Sequence, residues 1–478
     1  MVRIIFLEDK YSLKRNQIPD IIRFPDKFLT NKVYWPLMMF SKNKVFNLTM
    51  PSMSIATQRE TKNFAICLSI AFIGMLMNTP VAKATETTQV ITISELITTV
   101  VRNNPELLAS KQSLDAATAG ITSAKAFPNP RLEVQSGRYN EHNPAALSGR
   151  ANGMGIAQLI ENPALRNARV EGAFYNQSRS AQVVVMTENE LIAETKRRAY
   201  EYLLRKEETI AAFDALGLLE QIRERVKVRV ETGEAGRYEL IKSDAEIINA
   251  RQREQTARLQ VQQAAISLNR LAAGRLPPSW ELNAQLSDKL QVPDLELLKQ
   301  SAVIENPEIK QLVAELARSR SKINEAEASR WPGVEIRVSQ LREPEARQNM
   351  IGLSVQLPIL DQRAGPRAEA IAERERAIVR LEGRKAELLQ QIELAWKSVQ
   401  IARTRIDALS EGAMRDAEAT LKVAQAAYRF GERGILEVLD AERVLRSVRN
   451  DLLLARYQLQ ASLIELDTLA GRHVAKSE

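Results

Sequence analysis

The residues best placed to do chemistry are carboxylates. Glu437 and Asp440 lie three apart, just past Gly434, in the stretch RFGERGILEVLDAE (Arg429 to Glu442). On a helix that spacing puts both on one face, where paired negative charge draws cations. The same two acids would equally serve a solvated helix start, because anions there complement the helix dipole. An echo upstream, RVETGEAGRYELIKSD, offers Glu231, Glu234 and Glu239 as weaker candidates. Tyr428 and Arg433 lie beside the second stretch, and Tyr238 with Glu239 lies in the first. A hydrogen bond from Tyr428 or Arg433 to the Tyr238–Glu239 segment would join the two. Nothing else is arranged for catalysis. Only two histidines occur, and both read as surface residues: His142 in a loop and His473 in the tail. No HExxH, CxxC, GxSxG or P-loop pattern appears. The sole cysteine, Cys67, falls inside an apolar run, so the sequence offers no disulfide and no thiolate metal site. No enzyme activity and no cofactor are expected.

Those acids need elements to hold them. Each stretch carries two glycines three apart, Gly233 and Gly236, then Gly431 and Gly434, inside a helical pattern. Glycine costs about 1 kcal/mol relative to alanine within a helix, so each pair marks a turn between two antiparallel helices. The helix after the second turn has apolar or small residues spaced 3,4,3,4 from Val438 to Leu469, a heptad seam. The helix after the first turn repeats that seam from Leu240 to Leu271, broken only by Glu254. Other landmarks recur in the same order: Asn104-Pro105 with Asn306-Pro307, and Phe127-Pro128 with Trp331-Pro332. The mature chain therefore reads as two copies of one unit, at 85–285 and 290–478. Pro277, Pro278 and Pro293 mark the linker.

Within each unit a short stretch switches to period two. Val334, Ile336 and Val338 alternate with Glu335, Arg337 and Ser339; Ile351, Leu353, Val355 and Leu357 answer them. Leu132 and Val134 begin the first unit's pair, with a Gly-rich return at about 151–159. Such alternation predicts strands. Strands of about nine residues suit a tilted bilayer crossing, with the apolar face to lipid and the polar face to a lumen. Four strands cannot close a barrel, and an open edge is not tolerated in lipid, so closure must be shared between chains.

The charge distribution fits this reading. The chain has 478 residues and a net charge of +8. The first 84 residues hold twelve basic and five acidic side chains, leaving 55 basic against 54 acidic in the body. A near-neutral body lacks the basic footprint that nucleic acid requires. At the head, Arg59 and Lys62 precede an apolar run, Phe64 to Met77, and Ala82-Lys83-Ala84 supplies a cleavage site, so 53–84 reads as a secretory signal. Maturation then leaves Thr85 first, and residues 1–52 are expected to be an unstructured or non-native extension.

Two units of helix, hairpin and long helical pair, with the RFGERGILEVLDAE break, resemble the TolC-type outer-membrane efflux channels over nearly the whole mature chain. The segment GIAQLIENPALRNAR (Gly155 to Arg169) is similar to the CzcC-like heavy-metal branch. The resemblance implies a mainly α fold with a small β part: a long antiparallel helical coiled-coil tunnel in the periplasm, on a trimeric twelve-stranded barrel in the outer membrane. It implies a passive duct for small solutes such as cobalt, zinc or cadmium ions. It also implies partners: a homotrimer, a periplasmic adaptor, an inner-membrane pump of the resistance-nodulation-division type, and outer-membrane lipid. The glycine turns become periplasmic tips, Glu437 and Asp440 an acidic entrance ring, and Tyr238, Glu239, Tyr428 and Arg433 a lock between tips. A periplasmic coiled-coil scaffold without a pore, or a duct for organic drugs or secreted protein, would share much of this pattern.

Overall fold

The computed structural model describes residues 89–139, 147–288 and 290–475, all within one compact unit. The expected leader at 53–84, the extension at 1–52, the new terminus at Thr85, Cys67 and His142 lie outside the described residues. A three-residue strand β1 (Gln89–Ile91) leads into helices α1 (Ile93–Asn103) and α2 (Pro105–Lys125), then strands β2 (Arg131–Tyr139) and β3 (Gly149–Ile160). Helices α3 (Pro163–Glu231) and α4 (Arg237–Leu271) come next, then a short strand β4 (Trp280–Leu282). The second half repeats the order: α5 (Leu295–Glu305), α6 (Pro307–Ala328), β5 (Val334–Arg342) and β6 (Arg347–Val355). Helix α7 (Ala364–Ala408) passes through a π-helical turn (Leu409–Ala413) into α8 (Met414–Arg429). Helix α9 (Ile435–Leu469) and a final turn, α10 (Arg472–Ala475), complete the chain.

The opening helix of each unit is not continuous to the aromatic-proline pair, as its pattern suggests. It breaks at Asn-Pro, because proline pushes the preceding residue out of the α region. The asparagine then caps the second of the two helices. The Asn104 side chain accepts from the Glu106 and Leu107 amides, and its own amide donates to Leu271 O at 3.2 Å. Asn306 does the same for Glu308 and Ile309, and donates to Leu469 O at 2.9 Å. Asn162, before Pro163, caps α3 and donates to Ala328 O and Trp331 O. Each side chain satisfies backbone groups at two helix ends at once.

Helix α3 is 69 residues long, about 100 Å at 1.5 Å per residue. Helices α4 and α9 have 35 residues each, and the second begins 198 residues after the first. Their seams are buried as expected: Ser243, Ile247, Ala250, Ala257 and Leu268 on α4, and Val438, Ala441, Leu452, Leu459 and Leu466 on α9. The misfit Glu254 is buried too and is paired with Arg258 one turn on.

The core is divided. One cluster joins α1, α3 and α4, a second joins α5, α6, α7 and α9, and a third joins α3 and α4 to α8 and α9. That third cluster is built by both repeats, with Ala250, Ala424 and Ala441 allowing close approach. The expected linker is not plain coil. Its β4 pairs in parallel with β1, and Trp280 packs 5.0 Å from the Tyr202 ring. Three-residue strands carry no periodicity to betray them.

The four longer strands form one antiparallel sheet in the order β2-β3-β5-β6. Register sorts its two faces. Leu132, Ile156, Val338 and Ile351 form one row, and Ile336 with Leu353 and Val334 with Val355 continue the same face. Ile351 and Leu353 are 80% and 71% exposed. The opposite face carries Arg131, Glu133, Glu335 and Arg337. Arg337 reaches Glu133 at 3.3 Å and Glu335 at 3.2 Å, and Arg131 pairs with Glu335. These pairs cross above Gly155 and Ala157 of the intervening strand. A Cβ at Gly155 would lie 3.1 Å from the Ser339 Cβ, which favours glycine at that position of the return strand. No helix among the described residues is long and apolar enough to cross a membrane. Exposed apolar side chains also occur on the helices, such as Ile248, Ile266 and Val379, but the sheet carries them in paired rows on one face.

Candidate functional site

The two glycine stretches are turns between antiparallel helices. Gly233 and Gly431 have φ of 81° and 77°, the left-handed conformation that glycine adopts without a Cβ penalty. Each stands just after the last residues of a helix, and the backbone doubles back to the preceding turn: Glu234 N donates to Arg229 O, and Glu432 N to Ala427 O. Such bonds close a helix C-terminus. Gly236 and Gly434 are extended and stand at the N-cap of α4 and α9, with no side chain to cap the helix.

The third core cluster brings the two turns side by side. Tyr428, only 6% exposed, donates from Oη to Glu239 Oε2 at 3.4 Å. Burial first, then the Glu239 carboxylate, push the phenol above its ordinary range, so it stays protonated and remains a donor. Arg229 completes the junction. Its Nη1 donates to Tyr428 O at 2.8 Å, its guanidinium lies 4.8 Å from the centre of the Tyr428 ring, and its Nε is 3.5 Å from Glu234. The sequence alone does not single out Arg229. It stands just before the first glycine turn, and its partner in the other repeat, Ala427, gives no matching signal.

The expected bond from Arg433 to the Tyr238–Glu239 segment is not formed. Arg433 turns onto its own helix and pairs with Glu437, at 3.0 and 2.9 Å. Arg433 stands just before the N-cap Gly434, and its side chain lies over the first turn of α9 to reach Glu437. Tyr238 is 64% exposed and takes no part in the junction. Glu437 and Asp440 do share an exposed face of α9, while Glu231 and Glu234 are exposed at the first turn. Glu239 is half-buried beneath Tyr428.

Above the turns lie further charged pairs, the first of which ties the repeats together. Arg443 on α9 pairs with the buried Glu246 on α4, and Arg446 holds Glu442 at 3.0 Å. Burial pushes the Glu442 carboxyl upward against the pull of Arg446 and Arg253. Arg223 bonds Asp244 at 2.7 Å between α3 and α4. Among the described residues no three His, Cys, Asp or Glu side chains converge on a metal-sized site.

His473 is not the surface residue expected from a tail position. It is 4% exposed, because α10 folds back against α3. Its Nδ1 lies 2.9 Å from Lys196 Nζ, and its backbone amide donates to Asn189. The short tail helix has no amphipathic pattern that would signal this.

A sheet with one bare apolar face, continuous with helices up to about 100 Å long, is the geometry of a channel subunit rather than a scaffold. The outer membrane efflux protein family matches residues 96–274 and again 298–472. The chain belongs to this family. Among its relatives is the cobalt-zinc-cadmium resistance protein CzcC of Cupriavidus metallidurans, 23% identical over 386 residues, 80% of this chain and 90% of that one. Solved structures of the same fold include CusC, at 19% identity and a TM-score of 0.71, covering 79% of this chain and 91% of that one. The outer membrane protein VceC of Vibrio cholerae superposes with a TM-score of 0.67 at 16% identity, covering 79% of this chain and 96% of its own. This outer membrane efflux protein is thus a transport duct. It sits in the outer membrane by its sheet, with its helical tunnel in the periplasm.

Proposed function

We propose that three copies of this chain close into one channel, and that the channel exports divalent heavy-metal cations such as cobalt, zinc and cadmium. The observation that carries the first part is the four-stranded sheet with free edges at β2 and β6. Unpaired backbone groups in hydrocarbon cost several kcal/mol each. Joining β6 of one copy to β2 of the next removes every edge at twelve strands. The cargo reading is supported by the CzcC relative and by the exposed acids Glu437 and Asp440, which threefold symmetry would gather into a ring attractive to cations. On this reading the duct is passive. A periplasmic adaptor docks near the tips, and an inner-membrane pump of the resistance-nodulation-division type supplies energy and selection. The mature chain starts at Thr85, with repeats at 85–285 and 290–478.

The face assignment tests the channel. Ile336→Arg, Leu353→Arg or Val355→Arg should block assembly of heat-modifiable trimers in the outer membrane, since a cation at the lipid midplane costs about 2–4 kcal/mol. Ser339→Arg and Ser354→Arg, on the water face, should assemble normally. Equal assembly by both sets defeats the barrel assignment. The cargo is tested separately. Cells lacking the protein should accumulate cadmium, zinc or cobalt and regain tolerance on complementation. Restored tolerance to organic drugs alone would assign the duct to another cargo.

A further inference from the structure

The outward face of the sheet changes character along its height. Near the helices it is apolar. Toward the strand-connecting loops one row reads Ser136, Asn152, Arg342 and Arg347, and the next pairs Arg138 with Arg150. Side chains two apart on a strand share a face. Arg138 therefore points the same way as Val134 and Leu132, and Arg342 and Arg347 the same way as Val338 and Ile351. Every strand of the sheet thus ends in an arginine on its apolar side. All four are exposed. Among the described residues none of them forms an ion pair, and Arg347 alone bonds a neighbour, Gln340 Oε1, at 3.0 Å. The arginines of the opposite face behave differently, since Arg131 and Arg337 are both paired with glutamates.

At the other end of the sheet two exposed aromatic side chains stand among aliphatic ones such as Ile160, Leu357 and Ile359. Phe127 and Trp331 are among the exposed large apolar side chains, and they stand where the strands meet the helices. Aromatic side chains favour a membrane-water boundary. The sheet therefore has an aromatic margin at its inner end and a cationic margin at its outer end. A hollow of about 480 Å³ lies below the arginine rows; Gln340 and Asn349 border it beside Arg342 and Arg347, and Leu132, Met154, Ile156, Val338 and Ile351 line the rest of this face.

We propose that the Arg138, Arg150, Arg342 and Arg347 collar binds the phosphate groups of a phosphorylated glycolipid in the outer leaflet, with an acyl chain lying in the apolar hollow beneath. The proposal rests on the barrel reading, which turns this face to lipid. Four exposed guanidinium groups in two adjacent rows call for anions, and the guanidinium fork matches phosphate in bidentate geometry. Among the described residues the acids at this end, Glu343 and Glu345, belong to the β5–β6 loop beyond the rows, and Glu345 accepts from the Leu147 amide; Glu141 of the β2–β3 connection lies outside the described residues. Apolar surface just below the cations selects an amphiphile over a free anion, because long cationic side chains place their heads at the interface. Threefold symmetry would make a girdle of twelve arginines.

Two measurements test this. Delipidated wild-type trimers are titrated with the phosphorylated glycolipid, its dephosphorylated form, or inorganic phosphate, while trimer dissociation on heating is monitored. Only the phosphorylated glycolipid should raise the dissociation temperature. Equal stabilisation by the dephosphorylated form, or the full effect from inorganic phosphate, overturns the proposal. In the second, glycolipid bound to trimers extracted from membranes is counted by mass spectrometry. The combined Arg138→Gln, Arg150→Gln, Arg342→Gln, Arg347→Gln variant should bind at least about fivefold more weakly, the loss expected from even one juxtamembrane basic contact. The four-lysine variant should keep part of the affinity, and Arg337→Gln on the water face should keep it all. Unchanged glycolipid in the glutamine variant overturns the proposal; if that variant fails to assemble, the wild-type titration decides. Wild-type protein missing from the outer membrane would instead defeat the channel reading itself.

Discussion

The α3–α4 and α8–α9 turns lie 198 residues apart and share one backbone. In each, a left-handed glycine ends the incoming helix and an extended glycine starts a 35-residue outgoing one. Their side chains differ. Glu239 and Glu437 occupy equivalent places, yet Glu239 accepts from Tyr428 of the other repeat while Glu437 is held by Arg433 of its own helix. Arg229 has Ala427 as its counterpart, and Tyr428 has Val230. Repetition has kept the part that folds and let the part that interacts diverge. A carboxylate at one register position therefore serves as a cross-repeat clasp in one copy and as an exposed charge in the other.

Substitutions that strike the shared part should have the largest effect. Gly233→Val or Gly431→Val forces a β-branched residue into left-handed backbone, at about 1–3 kcal/mol each. Both turns should lose amide-exchange protection to a similar extent. A large loss in one only would show that the two turns are not equivalent.

Arg229→Ala tests the asymmetry. It removes a bond to Tyr428 O, a cation–π contact and the pair with Glu234. A cost of about 1–2 kcal/mol is expected, read as faster exchange at the end of α8 with α9 unaffected. Indifference of α8 would remove Arg229 from the junction.

Two milder changes separate the glutamates. Tyr428→Phe with Arg433→Ala should leave trimers stable, since a single hydrogen bond contributes only about 1 kcal/mol and the exposed Arg433 pair about 0–1 kcal/mol, but should raise single-channel conductance in planar bilayers. Because Arg433 pairs within its own helix, Tyr428→Phe alone should account for most of that rise. Glu437→Ala with Asp440→Ala should lower cation preference at unchanged conductance state; unaltered selectivity would return these acids to the role of helix-start residues. The smallest effect belongs to the second glycines. Gly236→Ser and Gly434→Ser supply the missing N-cap acceptor and should gain only a few tenths of a kcal/mol.

Much of this architecture is legible in the sequence because it repeats or has a period. The seams from Leu240 and from Val438, the glycine turns, and the strands with Ile336 and Leu353 on one face all come from spacing. The features that the sequence hides lack any period. The β1–β4 ribbon is only three residues long, and its partners lie far apart in sequence. The π-helical turn at Leu409–Ala413 has the composition of ordinary helix. Arg229 looks like one more basic residue near a helix end, and its importance comes from a ring supplied by the other repeat. Arg433 departs from its expected partner because an i, i+4 glutamate is closer in space than one on the next hairpin.

The three capping asparagines impose a schedule on the growing chain. Each caps its helix with residues two or three positions away, but its side-chain amide waits for a carbonyl more than 160 residues downstream: Leu271 for Asn104, Ala328 for Asn162, Leu469 for Asn306. Contacts of such separation form late. As the polypeptide enters the periplasm from its N-terminus, the first repeat can fasten only when α4 has arrived. The asparagine that caps the first long helix then waits for Ala328 of the second repeat, and the last of the three bonds waits for Leu469. A chain truncated before Leu469 would lack the carbonyl that receives the Asn306 amide, and its last joint would stay unlatched.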